Sequence, residues 1–530
     1  MSRPIRPEPS PLLERVERAL AKMTDRPAVT AAGCVRTGTD LTERVRRLGG
    51  WLRRRTGEPG RRVALVFGNR PLYIEFYLAC FRTGLTAFPL HPELPARTVE
   101  LAARRIAPAL VLCDRDGRGT AARAAAASPG APPVFELTED ATPWDDDAGV
   151  PAPADGLAAP AADCPAAVFL SSGTTGEPKG VVVTHGNWAA GLTALERAFE
   201  PFLEDDVFLH LAPLSHTSGE FILPALLAGA RQHVLDIGDV ETAADLIVRG
   251  EATRLFAFSS QLPDLTAAVA RRGRPARLRS VLYGGAPAPL SVVEEALDVL
   301  GPVLEQGYGQ TETYPPTLAL RQHEHVLPGP DGRAVRTSLG RPVGTCEVRL
   351  LGVTGLEEVP AGEAGELAIR GPNVTPGYFD DPAATAAARR GEFFLTGDLA
   401  RRDRAGFYHL LGRRADAVRR DGRPVHPRHV ERVAEEHPAV REAALCLVDG
   451  RLVLALRARV AEPAAALDDL QNWLANRLEA HERPDELRFV ADLPRNVNLK
   501  LLRGALAERL RVPVACAPVS AGGATNGEEP

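Results

Sequence analysis

Lysine is rare in this sequence, and two of its lysines stand in segments that could bind phosphate or assist a reaction. Of the 63 basic residues three are lysines, Lys22, Lys179 and Lys500, and the other 60 are arginines. The planar fork of arginine does not replace a compact ammonium that must reach a phosphate or a reacting oxygen. We therefore expect chemical roles for Lys179 and Lys500, and an amphipathic helix around Lys22.

Lys179 follows a loop rich in glycine and hydroxyl groups, between two apolar runs that predict strands. Glycines let backbone amides turn toward an anion, hydroxyls add donors, and the lysine adds mobile positive charge. Because Gly180 and a strand-like run follow Lys179, the segment differs from the GxxxxGK[ST] loop, which leads into a helix. We predict a polyphosphate-binding loop formed by Ser171, Ser172, Gly173, Thr174, Thr175 and Gly176.

Six segments in this order resemble motifs of the adenylate-forming superfamily, which includes acyl-CoA synthetases, nonribosomal peptide adenylation domains and firefly luciferase. The resemblance extends over almost the whole chain. The segments are the loop before Lys179, residues 307–312, residues 365–371 with 377–378, residues 396–398, residues 412–413, and residues 494–495 with Lys500 and Arg503.

The resemblance implies a binding site for ATP and Mg²⁺. Glu312 supplies a hard carboxylate oxygen suited to Mg²⁺, Thr311 a hydroxyl for the α-phosphate, and Tyr308 an aromatic face for adenine. Asp398 can accept hydrogen bonds from ribose hydroxyls, although each of these residues alone would also fit an ordinary buried turn. The remaining nucleotide-binding residues expected on these grounds are Gly284, Gly285, Ala286, Gly309 and Arg413.

In the reaction that the resemblance implies, a carboxylate oxygen attacks the α-phosphorus of ATP, giving an acyl-adenylate and pyrophosphate. Lys500 would bridge the carboxylate and the α-phosphate, and Mg²⁺ held by Glu312 would offset phosphate charge. A small domain would then rotate near Gly412 and admit a nucleophile, usually a thiol.

This sequence departs from the family pattern in elements that serve the second step. Ala415 occupies the usual acidic or lysine hinge position, Arg419 replaces a lysine, and Leu499 replaces the glycine before the catalytic lysine. A leucine at that position disfavours a positive φ and adds bulk beside Lys500. We expect the adenylation machinery to be intact and the departures to affect the transfer step.

Residues 213–219 resemble the family's substrate-pocket segment, with His216 at the aromatic position that gates the acyl site. Amino-acid-activating members place an aspartate one residue later, where this chain has Thr217, so the sequence disfavours an α-amino acid. A histidine in an apolar segment also fits a purely structural role. The expected pocket residues are His216, Thr217, Phe258, Tyr283, Gln310 and Tyr314, with His216 also assigned to catalysis.

Alternating helical and strand-like patterns predict an α/β protein. We expect a large amino-terminal domain (residues 1–411) of two doubly wound α/β subdomains and a small β-rich subdomain. A small, mobile α+β domain (412–516) and a disordered tail (517–530) would follow. Residues 117–164, rich in Ala, Pro, Gly and Asp, predict a loose connection with one strand over 134–137, and residues 467–479 predict a helix.

The composition excludes several classes of protein. A net charge of −5 gives no general attraction to nucleic acid or anionic lipid, and no apolar run is long enough to span a membrane. Seven scattered cysteines, odd in number and without a CxxC pair, fit a reducing compartment, so we expect a cytoplasmic protein. We also expect a monomer or a homodimer.

Three functions remain open at this point. The first is adenylation of an aryl or short-to-medium acyl carboxylate, followed by transfer to the thiol of CoA or of an acyl carrier protein. The second keeps the adenylation step but has a non-thiol outcome, either amide formation or activation of an oxyanion such as nitrite for diazotisation or N-nitrosation. The third is a non-catalytic nucleotide-binding relative, which the retention of Lys179, Glu312, Asp398, Arg413 and Lys500 disfavours.

Overall fold

A computed structural model describes residues 12–140, 159–171, 178–352, 355–460, 462–497 and 499–511. The chain divides into two compact units, the first made of Met1–Ala417 with Arg495–Lys500 and the second of Val418–Pro494 with Leu501–Pro530. The predicted phosphate-loop residues 172–176 and the predicted tail 517–530 lie outside the described residues.

A large mixed sheet organises much of the first unit. Its central strands are parallel, and Arg254–Phe258 and Ser280–Gly284 are buried along their whole length, as expected for strands covered on both faces. Helices such as Leu262–Arg272 and Leu290–Leu300 pack their apolar sides against it. Across the sheet the strands are Arg341–Pro342, Leu318–Leu320, Leu304–Tyr308, Ser280–Gly284, Arg254–Phe258, Val207–His210, Arg231–Val234, Pro27–Ala31 and Cys34–Thr37.

A second, mostly parallel sheet carries the strands that flank the predicted phosphate loop. Pro165–Leu170 and Gly180–Thr184 pair antiparallel. Across this sheet the strands are Val134–Glu136, Leu110–Cys113, Arg62–Val66, Thr86–Pro89, Pro165–Leu170 and Gly180–Thr184. The two helix-covered sheets confirm the predicted doubly wound α/β class.

The helices of the first unit alternate with these strands, as the sequence pattern predicted. Helix Pro71–Thr83 begins with proline at its first turn and ends at Gly84, whose φ of 67° suits a glycine. The α-helices are Leu12–Lys22, Gly38–Thr56, Pro71–Thr83, Ala96–Ile106, Arg118–Ala127, His185–Ala198, Ile222–Ala228, Val240–Val248, Leu262–Arg272, Leu290–Leu300, Gln322–His325, Gly329–Arg336 and Pro382–Ala387. Short 3-10 turns span Thr217–Phe221, Thr311–Thr313 and Arg414–Asp416.

The first unit also contains the predicted β-rich part, an antiparallel sheet. Its strands pair in the order Glu347–Leu351, Ala364–Arg370, Phe393–Arg402 and Arg389–Arg390, and Tyr408–Arg413 also pairs with Phe393–Arg402. That last pairing sets Asp398 opposite Arg413.

One sequence prediction in the first unit is wrong. Residues 117–164 were expected to form a loose connection, but Arg118–Ala127 is a helix that buries Ala121 and Ala124 against the second sheet. Alanine is the strongest helix former, and here its small side chain lets the helix approach the strands closely. The strand expected over 134–137 is present as Val134–Glu136, and residues 141–158 lie outside the described part.

The second unit is an α+β fold. Strand Val440–Val448 pairs antiparallel with Arg451–Ala458, which pairs in parallel with Glu486–Phe489. Its other elements are the hairpin Val418–Arg420 and Arg423–Val425, the helices Pro427–Glu435, Leu467–Ala475 and Arg503–Arg511, and the 3-10 turns Pro463–Ala466 and Ala480–Glu482.

Two details of the second unit bear on the sequence analysis. The helix expected over 467–479 stops at Ala475, because Glu479 caps the following turn at Ala480–Glu482 instead of extending the helix. Arg503, part of one recognised motif, pairs with the buried Glu431 at 2.6 Å. Arg503 therefore forms a structural ion pair within this unit.

Candidate active site

One cavity of the first unit brings together many of the residues that the sequence singled out. It encloses about 650 Å³, the open space at its mouth included. Its floor is formed by the carboxyl ends of three adjacent parallel strands, the usual place for a ligand in a doubly wound sheet. The lining residues are Leu195, Phe199, His216, Thr217, Glu220, Phe221, Phe256, Phe258, Leu282, Tyr283, Gly285, Gly307, Gly309, Gln310, Thr311, Pro315, Pro316 and Lys500.

The wall around His216 is a short 3-10 turn, Thr217–Phe221, that follows strand Val207–His210. A Cβ on Gly219 would lie 2.3 Å from the carbonyl oxygen of Leu214, so this tight turn requires glycine. Burial, and to a smaller extent the positive charge of Lys500, lower the pKa of His216 to about 3. His216 therefore faces the cavity as a neutral ring.

Another part of the lining combines an aromatic ring with a glycine turn. The Tyr283 hydroxyl hydrogen-bonds to His325 Nε2 at 3.0 Å, so the tyrosine presents its ring to the cavity. Gly285 has a φ of 82°, and a Cβ there would lie 2.8 Å from the Phe258 ring. Ser259 donates to the carbonyl oxygens of Gly284 and Ala286 and so holds this turn in place.

Gln310 connects the cavity to Asp398. Its Nε2 donates to Asp398 Oδ2 at 2.9 Å and to the Thr396 carbonyl oxygen at 2.9 Å. Tyr308 donates its hydroxyl to the same Asp398 oxygen at 2.7 Å, and Arg413 Nε lies 3.3 Å from the other oxygen. Burial and Asp398 raise the pKa of Tyr308 well above its usual range. These contacts orient the Asp398 carboxylate rigidly.

Glu312 belongs to a second group that contains Lys179. Glu312 accepts a hydrogen bond from the Tyr378 hydroxyl at 3.1 Å, and Lys179 Nζ lies 4.9 Å from the centre of the Tyr378 ring. The backbone amide of Ser171 donates to the Lys179 carbonyl oxygen at 2.9 Å, which closes the base of the predicted phosphate loop. Lys179 and Glu312 thus share Tyr378 as an aromatic neighbour.

Lys500 lies in a tight loop that clusters with the first unit and lines the cavity. Its backbone amide donates to Asn496 Oδ1 at 3.0 Å, and its carbonyl oxygen accepts from the Asn496 amide. Burial and Arg413 lower the pKa of Lys500, whereas Glu312 and Asp398 act in the opposite direction. The lysine therefore interacts electrostatically with both acidic residues that the sequence assigned to nucleotide binding.

Leu499 differs from the sequence expectation. Its φ is 56°, the left-handed conformation that a leucine was expected to avoid, and its side chain packs against the apolar group that includes Phe256 and Phe258. A left-handed residue other than glycine costs roughly 1–2 kcal/mol. The apolar contact and the Leu499 carbonyl oxygen, which accepts from Arg495 at 2.8 Å, offset this cost.

Tyr314 does not line the cavity. A φ of 26° turns its ring away, into the core against Gly191, where a Cβ would lie only 2.2 Å from the ring. Tyr314 is buried among the aromatic residues of that core. The other five residues expected in the substrate pocket, namely His216, Thr217, Phe258, Tyr283 and Gln310, do line it.

Two site residues were missed by sequence reasoning. Glu220 lines the cavity, and the signal available for it was a charge next to the apolar run Phe221–Leu223. Tyr378 was part of a recognised motif without an assigned role, and its hydroxyl holds Glu312.

The described residues contain no group of three or more His, Cys, Asp and Glu side chains arranged to hold a metal ion. A single carboxylate such as Glu312 nevertheless fits Mg²⁺, which usually takes one or two carboxylates together with substrate phosphates. None of the helices described is long and apolar enough to cross a membrane.

Comparisons with known proteins agree with this geometry. Residues 16–379 match the family model described as AMP-binding enzyme, and residues 429–500 match its carboxy-terminal domain model. The chain is 31% identical over 493 residues to feruloyl-CoA synthase of an Amycolatopsis species, covering 91% of this chain and 95% of the relative. It is 35% identical over 350 residues to 2-succinylbenzoate--CoA ligase of Geobacillus kaustophilus, covering 64% and 68%.

Solved structures give the same result. The amide bond synthetase McbA from Marinactinospora thermotolerans superposes with a TM-score of 0.83 at 26% identity, covering 94% of this chain and 100% of that one. The o-succinylbenzoate CoA synthetase MenE from Bacillus subtilis, in complex with its acyl-adenylate, gives a TM-score of 0.79 at 25% identity, covering 95% and 98%. The chain therefore belongs to the AMP-binding enzyme family, within the adenylate-forming superfamily.

Proposed function

We propose that this protein activates a carboxylic acid with ATP, forming an acyl-adenylate and pyrophosphate, and then transfers the acyl group to the thiol of CoA. The observation that carries the proposal is the position of Lys500, which lines the same cavity as His216 and Thr311 and is close to Glu312 and Asp398. The similarity over most of the chain to a protein named feruloyl-CoA synthase supports an aryl acid and CoA as substrates.

The proposed nucleotide site extends from the phosphate loop to Asp398. Asp398 would accept hydrogen bonds from the ribose hydroxyls, since Tyr308, Gln310 and Arg413 already fix its orientation. The hydroxyl of Thr311 would donate to the α-phosphate. The β- and γ-phosphates would bind Lys179 and the loop residues Ser171, Ser172, Gly173, Thr174, Thr175 and Gly176, and adenine would lie along Gly284, Gly285, Ala286, Tyr308 and Gly309.

Glu312 would hold a Mg²⁺ ion, which would supply positive charge against the phosphates. Its carboxylate is already oriented by the Tyr378 hydroxyl, and Lys179, whose Nζ lies 4.9 Å from the centre of the same ring, would add a second cation near the phosphates.

Lys500 would place its ammonium between the attacking carboxylate and the α-phosphate. Phosphoryl transfer needs positioning and charge neutralisation more than covalent assistance, so one well-placed cation has a large effect. Burial lowers the pKa of Lys500, but Glu312 and Asp398 favour its charged form, which the reaction requires.

Most of the cavity wall fits a flat, mainly apolar acid body. Aromatic and aliphatic walls from Phe256, Phe258 and Leu282 enclose it, and Tyr283 presents a ring face. The neutral His216 and Thr217 lie at the start of the 3-10 turn Thr217–Phe221 and would contact the substrate beside its carboxylate. These features favour an aryl or medium-length acyl group over a charged aliphatic one.

We also propose the domain boundaries expected from the sequence, with a large adenylation domain in 1–411 and a smaller, mobile domain in 412–516 that carries Arg413 and Lys500. The described cysteines are all free thiols, in keeping with a cytoplasmic location where ATP and CoA are present.

An acyl carrier protein is an alternative to CoA as the thiol that accepts the acyl group.

Amide formation is a second candidate. It is favoured by the likeness to a structure named amide bond synthetase, and by the departures at Ala415, Arg419 and Leu499. In this version the adenylate forms in the same way, and an amine takes the place of the thiol.

Product analysis distinguishes these functions. The protein would be incubated with MgATP and a panel of aryl and acyl acids, alone and with CoA, an acyl carrier protein, aryl amines or nitrite, and the products identified by mass spectrometry. We expect AMP, pyrophosphate and a CoA thioester of an aryl acid. Amides or diazo products without a thioester would refute CoA transfer, and ATP binding without turnover of any acid would refute adenylation.

A further inference from the structure

Glu220 is the carboxylate of the cavity lining that the proposed reaction does not use. It lies on the 3-10 turn Thr217–Phe221, three residues after Thr217. Residues three apart on a 3-10 helix lie on the same side, and both Thr217 and Glu220 line the cavity. The turn therefore presents a hydroxyl and a carboxylate to the same ligand space.

The surroundings of Glu220 are poor in partners. Its carboxylate makes no hydrogen bond to another described residue, and its neighbours in the lining include Phe221, Phe256 and Leu282. Burial raises the pKa of Glu220 well above its usual range, and Lys500 offsets this only in part. Glu220 is half-buried, and a carboxyl group removed from bulk water without a partner is costly unless a ligand satisfies it.

Two tyrosines of the neighbouring core interact electrostatically with Glu220. Glu220 raises the pKa of Tyr77 and of Tyr314, so both hydroxyls are close to its carboxylate, although neither donates a hydrogen bond to it. The rest of the wall is mainly aromatic, aliphatic or glycine. Glu220 is thus the acidic side chain among these lining residues.

A role for Glu220 as the main counter-charge of Lys500 fits less well. Among the three carboxylates that favour the charged lysine, Glu312 and Asp398 have larger effects than Glu220. Glu220 also belongs to the substrate cavity, while Glu312 is held beside the phosphate loop by Tyr378.

We propose that Glu220 is a specificity-determining residue that accepts a hydrogen bond from an amino or hydroxyl group carried by the acid substrate. This inference rests on the proposed adenylation function and adds the substrate class: an aryl or acyl acid with an N–H or O–H donor on its body. A carboxyl group keeps an acceptor oxygen in its neutral and in its ionised form, so in either form Glu220 can bind an N–H or O–H donor, and an unsubstituted acid leaves that oxygen without a partner.

The test compares acids that differ only in one donor group. Cinnamic and benzoic acids would be assayed beside their ring-amino and ring-hydroxyl derivatives by acid-dependent ATP–pyrophosphate exchange, with the wild type, Glu220→Gln and Glu220→Leu. Glu196→Gln serves as the control, because Glu196 is an exposed glutamate paired with Arg15. Thermal midpoints and MgATP affinity identify any variant that is misfolded.

We expect the wild type to prefer at least one donor-bearing acid over its parent by about 10- to 100-fold in kcat/KM. Glu220→Leu should abolish this preference and leave the parent acid as good a substrate or a better one. Glu220→Gln keeps the shape and one acceptor oxygen, so it should retain part of the preference for both the ring-amino and the ring-hydroxyl derivatives, whose donor groups are neutral near pH 7.

Two results would overturn the inference: unchanged selectivity in Glu220→Leu, or equal losses for parent and donor-bearing acids. If the wild type gives no exchange with any acid, the proposed function fails. Calorimetric binding of the same acids to the wild type and to both variants then still tests the proposed role of Glu220. A donor-bearing acid that binds the wild type and Glu220→Leu equally would then refute it.

Discussion

Replacing Lys500 with alanine should abolish most acid activation while leaving ATP binding nearly unchanged. In the cavity Lys500 stands near Glu312 and Asp398, and the groups proposed to bind ATP remain in place without it. At about 4 Å and an effective dielectric constant of about 20, one charge stabilises a developing oxyanion by roughly 4 kcal/mol, or three powers of ten in rate. Loss of a single preorganised donor in other enzymes costs about 10²- to 10³-fold. We therefore expect ATP–pyrophosphate exchange to fall by about 10²- to 10³-fold.

The assay needs three comparisons. Lys22→Ala removes another of the chain's lysines, at the exposed end of helix Leu12–Lys22, and should behave like the wild type. Lys500→Arg keeps the charge but cannot place a point donor between two oxygens, so it should be almost as slow as Lys500→Ala. Reaction of a presynthesised acyl-adenylate with CoA should survive in both variants. Exchange near the wild-type rate in both would refute the proposed role of Lys500.

Three further predictions concern nucleotide binding, the Lys500 loop and pH. Asp398→Asn should raise the KM for ATP about 10-fold or more, since a charge-assisted hydrogen bond to ribose is lost, and an unchanged KM would contradict the proposed ribose site. Leu499→Gly should support pyrophosphate exchange about fivefold faster than Leu499→Ala. Both variants lose the apolar contact, but only glycine adopts a φ of 56° without a cost of about 1 kcal/mol. Equal exchange rates would show that this backbone strain is unimportant. Stability to urea should fall by about 1.4 kcal/mol per pH unit for each group as pH drops from 6.5 toward 4, because histidines that are protonated in the unfolded chain stay neutral when buried in the folded one. Equal urea midpoints at pH 7 and pH 5 would contradict this prediction. Burial lowers the pKa to about 4 at His185, His210 and His325.

Sequence patterns predicted those parts of the fold in which local chemistry and tertiary structure agree. The strands around the phosphate loop and the helix Pro71–Thr83 follow from apolar runs bounded by glycine and proline. The helix Arg118–Ala127 was missed because alanine beside proline and glycine was taken as a loop signal, whereas the burial of Ala121 and Ala124 against a sheet decides the outcome.

Part of the site could not be predicted because it depends on which way a turn faces. Tyr314 follows the Thr311–Thr313 turn, and a single positive φ sends its ring into the core instead of the cavity. Glu220 enters the cavity because a 3-10 turn, with three residues per turn, sets it beside Thr217. A family motif locates such segments along the chain but does not specify these orientations.

Transfer of oxygen from the acid to AMP tests the central claim most directly. A carboxylic acid labelled with ¹⁸O at both oxygens would be turned over with MgATP and CoA, and the AMP and acyl-CoA analysed by mass spectrometry. Attack of a carboxylate oxygen on the α-phosphorus, followed by thiol attack on the carbonyl carbon, leaves one ¹⁸O in AMP and one in the thioester. We expect that distribution in the wild type. Unlabelled AMP, or the formation of ADP and phosphate, would contradict activation of the acid as an acyl-adenylate.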